Sequence, residues 1–234
     1  MAANKPKKKQ ALRNNEYYST QALFDDLYER SQRGESFTHL MELIASEQNI
    51  LLAYRAIKKN KGSKTKGVNS TTIVEMGEKQ PEELIAYVRK RLQNFHPHAV
   101  RRVEIPKPDG RMRPLGIPTM EDRIVQQCIK QVLEPICEAK FYKHSYGFRP
   151  NRSAHHAIAR AMFLVNISKY RYVVDVDIKG FFDNVNHGKL LKQLWTLGIR
   201  DKQLLCVLSK MLKAPIQGEG VPAKGVPQGG ILSP

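Results

Sequence analysis

A mixed α and β fold with helices in the majority is predicted by three features of the 234-residue sequence. Apolar residues recur at helical spacing through much of the chain. A short alternating segment turns back on itself at Pro108, Asp109 and Gly110, the pattern of a β-hairpin. A further apolar stretch, residues 171–178, alternates in period two and carries two aspartates near its end. A hydrophobic content of 41% is enough to bury a sizeable core.

The elements follow in order. Lys5, Lys7, Lys8, Lys9 and Arg13 stand among few apolar residues, so the first 13 positions are expected to form a mobile basic tail. Helices are predicted over 22–32 and 40–59, the second with Leu40, Leu43, Ile44, Leu51, Tyr54 and Ile57 at approximate helical spacing. Residues 58–67 then place Lys58, Lys59, Lys61, Lys64 and Lys66 among Gly62, Ser63 and Gly67. Such a loop is too charged to bury itself, and its lysines suit phosphate contacts. Pro81 opens a helix over 82–94 whose apolar side is Leu84, Ile85, Val88 and Leu92. Strands over 100–105 and 111–117 make the hairpin, with a basic surface. Thr119 followed by Asp122 gives a weak capping-box start to a long helix ending near 139, with a kink expected at Pro135. Further helices are predicted over 153–168, 188–197 and 201–212, with a strand over 171–178 between the first two.

Lys and Arg number 39 against 22 Asp and Glu, a formal charge of +17 that favours a polyanionic partner, nucleic acid first. No apolar run approaches the roughly 18 residues of a spanning helix, and no signal-peptide apolar region opens the sequence. No membrane partner and a cytoplasmic location are therefore expected. Cys128, Cys137 and Cys206 are odd in number and widely spaced, which argues for small buried hydrophobes over disulfides or a zinc site. The pairs His96 with His98 and His155 with His156 lack the Cys or acidic neighbours that would complete tetrahedral ligation. Trp195 and its leucine neighbours read as core.

In an extended strand Val173, Asp175 and Asp177 share one face, with Val174, Val176 and Ile178 on the other. Carboxylates on an apolar strand of a strongly basic chain suit a hard cation such as Mg²⁺, which takes oxygen ligands and binds substrate phosphates. Asp177 is the first candidate ligand. The alternative is that both aspartates pair with Lys or Arg of neighbouring elements.

The run from Asp177 through Gly180, Phe181, Phe182 and Asp183 to His187 resembles the first catalytic block of reverse transcriptases, and of group II intron enzymes in particular. The resemblance implies that Asp177 is catalytic and binds metal, expected to be Mg²⁺, with the Ile178 carbonyl beside it. It also implies an aromatic under the incoming sugar, better matched by Phe182 than by Phe181. A ring beneath C2′ leaves room for hydrogen but not for hydroxyl. Asp183 and His187 read as a cap and a local hydrogen bond. The hairpin resembles the family's fingers hairpin, where Lys107 and Arg113 match the residues that close on the triphosphate. The run from Gly225 through Pro227, Gln228 and Gly229 to Pro234 resembles the Gly-rich Pro-Gln-Gly loop, with Gln228 as a nucleotide-binding residue. Tyr146 to Ser153 resembles another family block. There Arg149 and Arg152 are placed by type to hold template RNA or to brace the fingers, while Tyr146 and Phe148 are expected in the core, with base stacking as the alternative.

The resemblance runs from about Ile44 to Pro234, with these blocks in family order. The loop over 64–69 departs from the Pro-Gly-Val-Asp-Gly form expected there. No aromatic-x-Asp-Asp sequence follows, so the chain is expected to be part of a longer enzyme and inactive in polymerisation by itself. The implied fold is α+β: mostly helical right-hand polymerase fingers with a β-hairpin, plus the beginning of an antiparallel-sheet palm. Expected divisions are a basic extension over 1–35, fingers over 36–167, and over 168–234 a partial palm with returning fingers helices. The implied whole is an RNA-directed DNA polymerase that also binds group II intron RNA to assist splicing and mobility. Its partners would be that RNA, an RNA template with DNA primer and deoxynucleoside triphosphates, and surface that a missing palm leaves exposed on this chain could pair two copies as a homodimer. The alternative is an RNA-binding splicing factor, or maturase, whose polymerase blocks are unused.

Overall fold

The computed structural model describes residues 13–106 and 110–233. The helices in order are α1 (Asn14–Tyr17), α2 (Gln21–Gln32), α3 (Leu40–Ile44), α4 (Glu47–Lys58), α5 (Ile73–Met76) and α6 (Pro81–Gln93). A two-stranded sheet follows, β1 (Arg101–Pro106) and β2 (Met112–Ile117). Then come α7 (Met120–Glu138), α8 (Ala154–Asn166), α9 (Phe181–Asn184), α10 (His187–Thr196) and α11 (Lys202–Leu212). A 3₁₀ turn, Lys61–Lys64, lies between α4 and α5.

The core is built around α7, against which α2, α3, α4 and α6 pack. Met120, Ile124, Ile129, Val132 and Ile136 of this helix are fully buried among Leu27, Ile44, Ile50 and Ile57. Asn49 and Gln131, polar side chains inside the core, are paired, as burial requires. The Asn49 amide donates to the carbonyls of Ile44 and Cys128, and Gln131 donates to Asn49 Oδ1 at 2.7 Å. Helix α2 contributes Phe24 and Leu27 to this core, so position 35 falls between two elements that share one interior.

The predicted helix over 40–59 is two, broken at Ala45 and Ser46, where the Ser46 hydroxyl donates back to the Leu43 carbonyl. Pro135 sits inside a continuous α7. Thr119 caps α7 as expected, its hydroxyl accepting from the Asp122 amide, but the Asp122 side chain does not complete the box. Its carboxylate is buried, accepting from Arg91 at 2.6 Å and from the His98 amide at 2.7 Å.

The C-terminal helices are fastened to the front of the core. Phe37 and Ile199 form a parallel bridge, and the Gly198 carbonyl accepts from the Phe37 amide at 2.8 Å. Asp201 caps α11 through Leu204 and accepts from the Met41 amide with its other oxygen. Helix α8 has no buried residue.

The predicted strand over 171–178 is not one here. The segment has no regular secondary structure and no ladder partner among the described residues, and Val173, Val174 and Val176 are 87%, 85% and 82% exposed. Alternation selects residues that suit a sheet, but only a neighbouring edge turns them into a strand.

Candidate nucleotide and RNA interface

The hairpin rises from the junction of α6 and α7. Its register pairs Arg101 with Ile117 and Ile105 with Arg113, which puts Val103, Ile105, Arg113 and Leu115 on one face. Arg113 is exposed near the tip. Lys107 lies outside the described residues. At the root, Arg102 grips Glu219 with both ends of its guanidinium, 2.7 and 2.8 Å. That hydrogen-bonded pair holds the Arg102 pKa above its ordinary value and the Glu219 pKa below its own.

The Gly-rich loop is wedged between this hairpin and the turn after the acidic segment. On the hairpin side, the Gly116 amide donates to the Gln228 carbonyl at 2.6 Å. A Cβ on Gly116 would lie 2.5 Å from Pro227 Cβ, so only glycine lets the loop approach. On the other side, Val226 donates to the Phe182 carbonyl and Gly225 to the Val185 carbonyl, each at 2.8 Å. Gln126 of α7 holds the far end, accepting from the Ile231 amide at 2.9 Å. The three blocks singled out in the sequence therefore converge through backbone hydrogen bonds.

Phe182 is half-buried beside Val226, and Phe181 meets it edge-on at 5.9 Å while remaining 56% exposed. Asp175, Asp177 and Ile178 are exposed just upstream, before Gly180 turns the chain at φ +60°. Asp177 carboxylate and Ile178 carbonyl oxygens are donors of the kind a hard divalent cation takes. No group of three acidic, His or Cys side chains gathers among the described residues, so these two donors would hold such an ion only with oxygens from other groups.

Asp183 and His187 do not bond to each other as a local pair. Asn186 caps α10 by accepting from Lys189, and His187 reaches instead to the Gly225 carbonyl.

The five lysines of residues 58–66 are all exposed, and their backbone is held from beneath. Arg123 of α7 is buried, donating to the carbonyls of Gly62 at 3.0 Å and Thr65 at 2.8 Å. Burial, together with nearby Arg101, lowers its pKa below the ordinary arginine value, against the pull of Glu121. Arg101 donates twice to the Lys66 carbonyl, and Asn69 donates to the buried Glu121 carboxylate. Nothing in local sequence marks Arg123 or Glu121 as anchors, because their partners lie more than fifty positions away.

Arg149 takes the bracing alternative. It is 8% exposed and donates to Glu138 at 2.6 and 2.8 Å and to the carbonyls of Tyr142 and Ser145. Arg152 is exposed, stacked over Tyr146 at 5.8 Å and bonded to the Lys143 carbonyl. Phe148, expected in the core, is 80% exposed on a backbone of φ +55°. Trp195 is also outside the core, 37% exposed beneath Arg200. Of the cysteines, Cys128 is buried, Cys137 intermediate and Cys206 exposed, so the buried-hydrophobe reading fails for the last.

A hairpin, a Gly-rich loop and the turn after an acidic segment thus meet at one place on a basic helical body. The chain belongs to the reverse transcriptase (RNA-dependent DNA polymerase) family, whose pattern matches residues 105–234, more than half its length. It is 37% identical over 203 residues to protein YkfC of Escherichia coli K12, covering 83% of this chain and 53% of that protein. It is 35% identical over 221 residues to the group II intron-encoded protein LtrA of Lactococcus lactis subsp. cremoris, covering 92% and 36%. The chain thus spans between about a third and a half of these relatives. Among solved structures it is similar in fold to a chain of the partial Cas6-RT-Cas1--Cas2 complex, at TM-score 0.52 and 24% identity, covering 83% and 32%. The α+β reverse transcriptase fold is thereby established.

Proposed function

We propose that this chain is the fingers and opening palm segment of a group II intron-encoded RNA-directed DNA polymerase that also binds intron RNA. The observation that carries the reading is the docking of the Pro-Gln-Gly loop between the hairpin root, through Gly116 and Gln228, and the Phe182 turn. Lys107 and Arg113 would close on the triphosphate, Gln228 would contact the nucleotide, and Phe182 would screen the sugar at C2′. Asp177 and the Ile178 carbonyl would hold Mg²⁺, which neutralises developing phosphate charge when bound. The exposed lysines 58, 59, 61, 64 and 66, with Arg152, would meet RNA phosphates.

The test is primer extension on an RNA template with Mg²⁺ and deoxynucleotides, using the full-length protein and its Asp177→Ala variant. Extension by the first and none by the second supports the reading. A full-length protein that binds intron RNA tightly yet never extends a primer would make it a maturase with unused polymerase blocks.

A further inference from the structure

A groove of about 350 Å³ opens where the end of α4, the 3₁₀ turn and α5 meet. Its volume falls within the range of small-ligand sites, on the order of 300–1,000 Å³. One wall is apolar: the half-buried Tyr54 ring faces it together with Ile73 and Val74, and Val74 is 52% exposed. The ring is seated against Gly77, where any Cβ would collide with the tyrosine hydroxyl. Lys58 and Lys64 line the same groove, and the Lys58 ammonium stands 5.6 Å from the Tyr54 ring centroid. Arg123 fixes the backbone on both sides of Lys64. Glu78 also lines it, whereas Glu75 is spent on the Thr72 amide. The neighbouring groove, lined by Glu75 and Glu121 with Lys79 alone in opposition, is too acidic to receive a phosphate.

We propose that this groove takes one unpaired nucleotide of a bound RNA, its base against Tyr54, its phosphate on Lys58 and Lys64, and its Watson–Crick edge toward Glu78. The proposal rests on the lysine loop being an RNA surface and adds a base-reading pocket to it. Base stacking on an aromatic ring outweighs an exposed cation–π contact, so an arriving base displaces the Lys58 ammonium from the ring toward the phosphate. Two ammonium groups set the phosphate end, and charge repulsion keeps that end away from the carboxylate. A carboxylate accepts from donors only, so guanine, with adjacent N1–H and N2–H, suits Glu78 best. Adenine presents an acceptor at N1 and suits it poorly.

The experiment is fluorescence anisotropy of the 234-residue chain over a series of salt concentrations with RNA hairpins carrying one bulged nucleotide: G, A, C, U or an abasic site. The bulged G should bind tightest and the abasic RNA about fivefold to tenfold weaker. Glu78→Gln should erase the preference for G over A while leaving abasic affinity unchanged. Tyr54→Leu, checked for folding by circular dichroism, should bind G and abasic RNA alike. Lys58→Ala should weaken every RNA and lower the salt dependence. Equal affinity of the wild type for G and abasic RNA, with steep salt dependence retained, would overturn the pocket and leave the RNA surface standing. Absence of salt-sensitive RNA binding would remove both. Saturation by free guanosine monophosphate, with nothing gained from its attachment to RNA, would overturn RNA as the occupant.

Discussion

The Nε2 of His187 lies 2.7 Å from the carbonyl oxygen of Gly225 and donates a hydrogen bond to it. The imidazole is 7% exposed, and the bond ties the approach to the Pro-Gln-Gly loop onto the turn that carries Phe182. His187 therefore fixes the placement of that loop. His187→Phe keeps the ring but leaves a buried acceptor unpaired, an expected loss of about 1–3 kcal/mol. Urea unfolding reads that loss. Hydrogen exchange at the Val226 amide, faster than in the wild type, locates it.

Gly225 is constrained twice. Its φ is +85°, and a Cβ there would come within 2.8 Å of the Asp183 carbonyl oxygen. Gly225→Ala should cost more than the roughly 1–2 kcal/mol of left-handed backbone strain alone, because neighbouring backbone must also shift. Unchanged urea stability in this variant would show that the loop is not seated against α9.

Acid should loosen the lysine loop through Glu121. Burial by itself raises the pKa of this carboxyl, but hydrogen bonds from its own amide, Asn69 and Thr71 outweigh burial and hold it below its ordinary 4.5. A carboxyl held low in the folded state contributes stability above its unfolded pKa and loses it as pH falls through the folded value. Asn69→Ala should therefore cost about 1.5–3 kcal/mol at neutral pH, the range for a hydrogen bond to a charged group. That difference should shrink as pH drops below about 4.5, the window set by the direction of the shift. Urea midpoints at successive pH values measure it, and a difference that does not vary with pH would count against the hydrogen-bonded carboxylate.

Thiol chemistry separates the cysteines. Burial pushes the Cys137 thiol up to about 11, helped by Glu134, and pushes the Cys128 thiol higher still. At pH 8 the Cys137 thiolate is then about one part in a thousand, and only the thiolate reacts. Iodoacetamide should label Cys206 alone in the native protein and all three cysteines in denaturant. Mass spectrometry of the intact chain counts the adducts.

Local pattern carried most of the helices, since α2, α6, α7 and α11 each present an apolar face whose spacing is visible in sequence. It failed where the outcome depends on a partner. Residues 171–178 have every strand preference and no paired neighbour, and Phe148 and Trp195 have core-type side chains on surfaces that nothing described covers. The blocks of the candidate site were legible because each is contiguous. Their mutual fastening was not, since His187 with Gly225, Gly116 with Gln228 and Arg102 with Glu219 are pairs 38 to 117 positions apart.

The lysines are exposed cations, whereas Arg149 is a buried and hydrogen-bonded one. Lys61, Lys64 and Lys66 are exposed on a backbone anchored by Arg101 and Arg123, so their removal leaves the fold intact. If they meet phosphates, each substitution by alanine should reduce the slope of log affinity against log salt by about 0.7–0.9. The unfolding midpoint should stay where it is. Arg149→Met should do the opposite, because Glu138 and two carbonyls lose their donor in a side chain that is 5% exposed. Its midpoint should fall while the salt slope is unchanged. A salt slope that falls with Arg149→Met, in protein shown to be folded, would place Arg149 on the RNA after all.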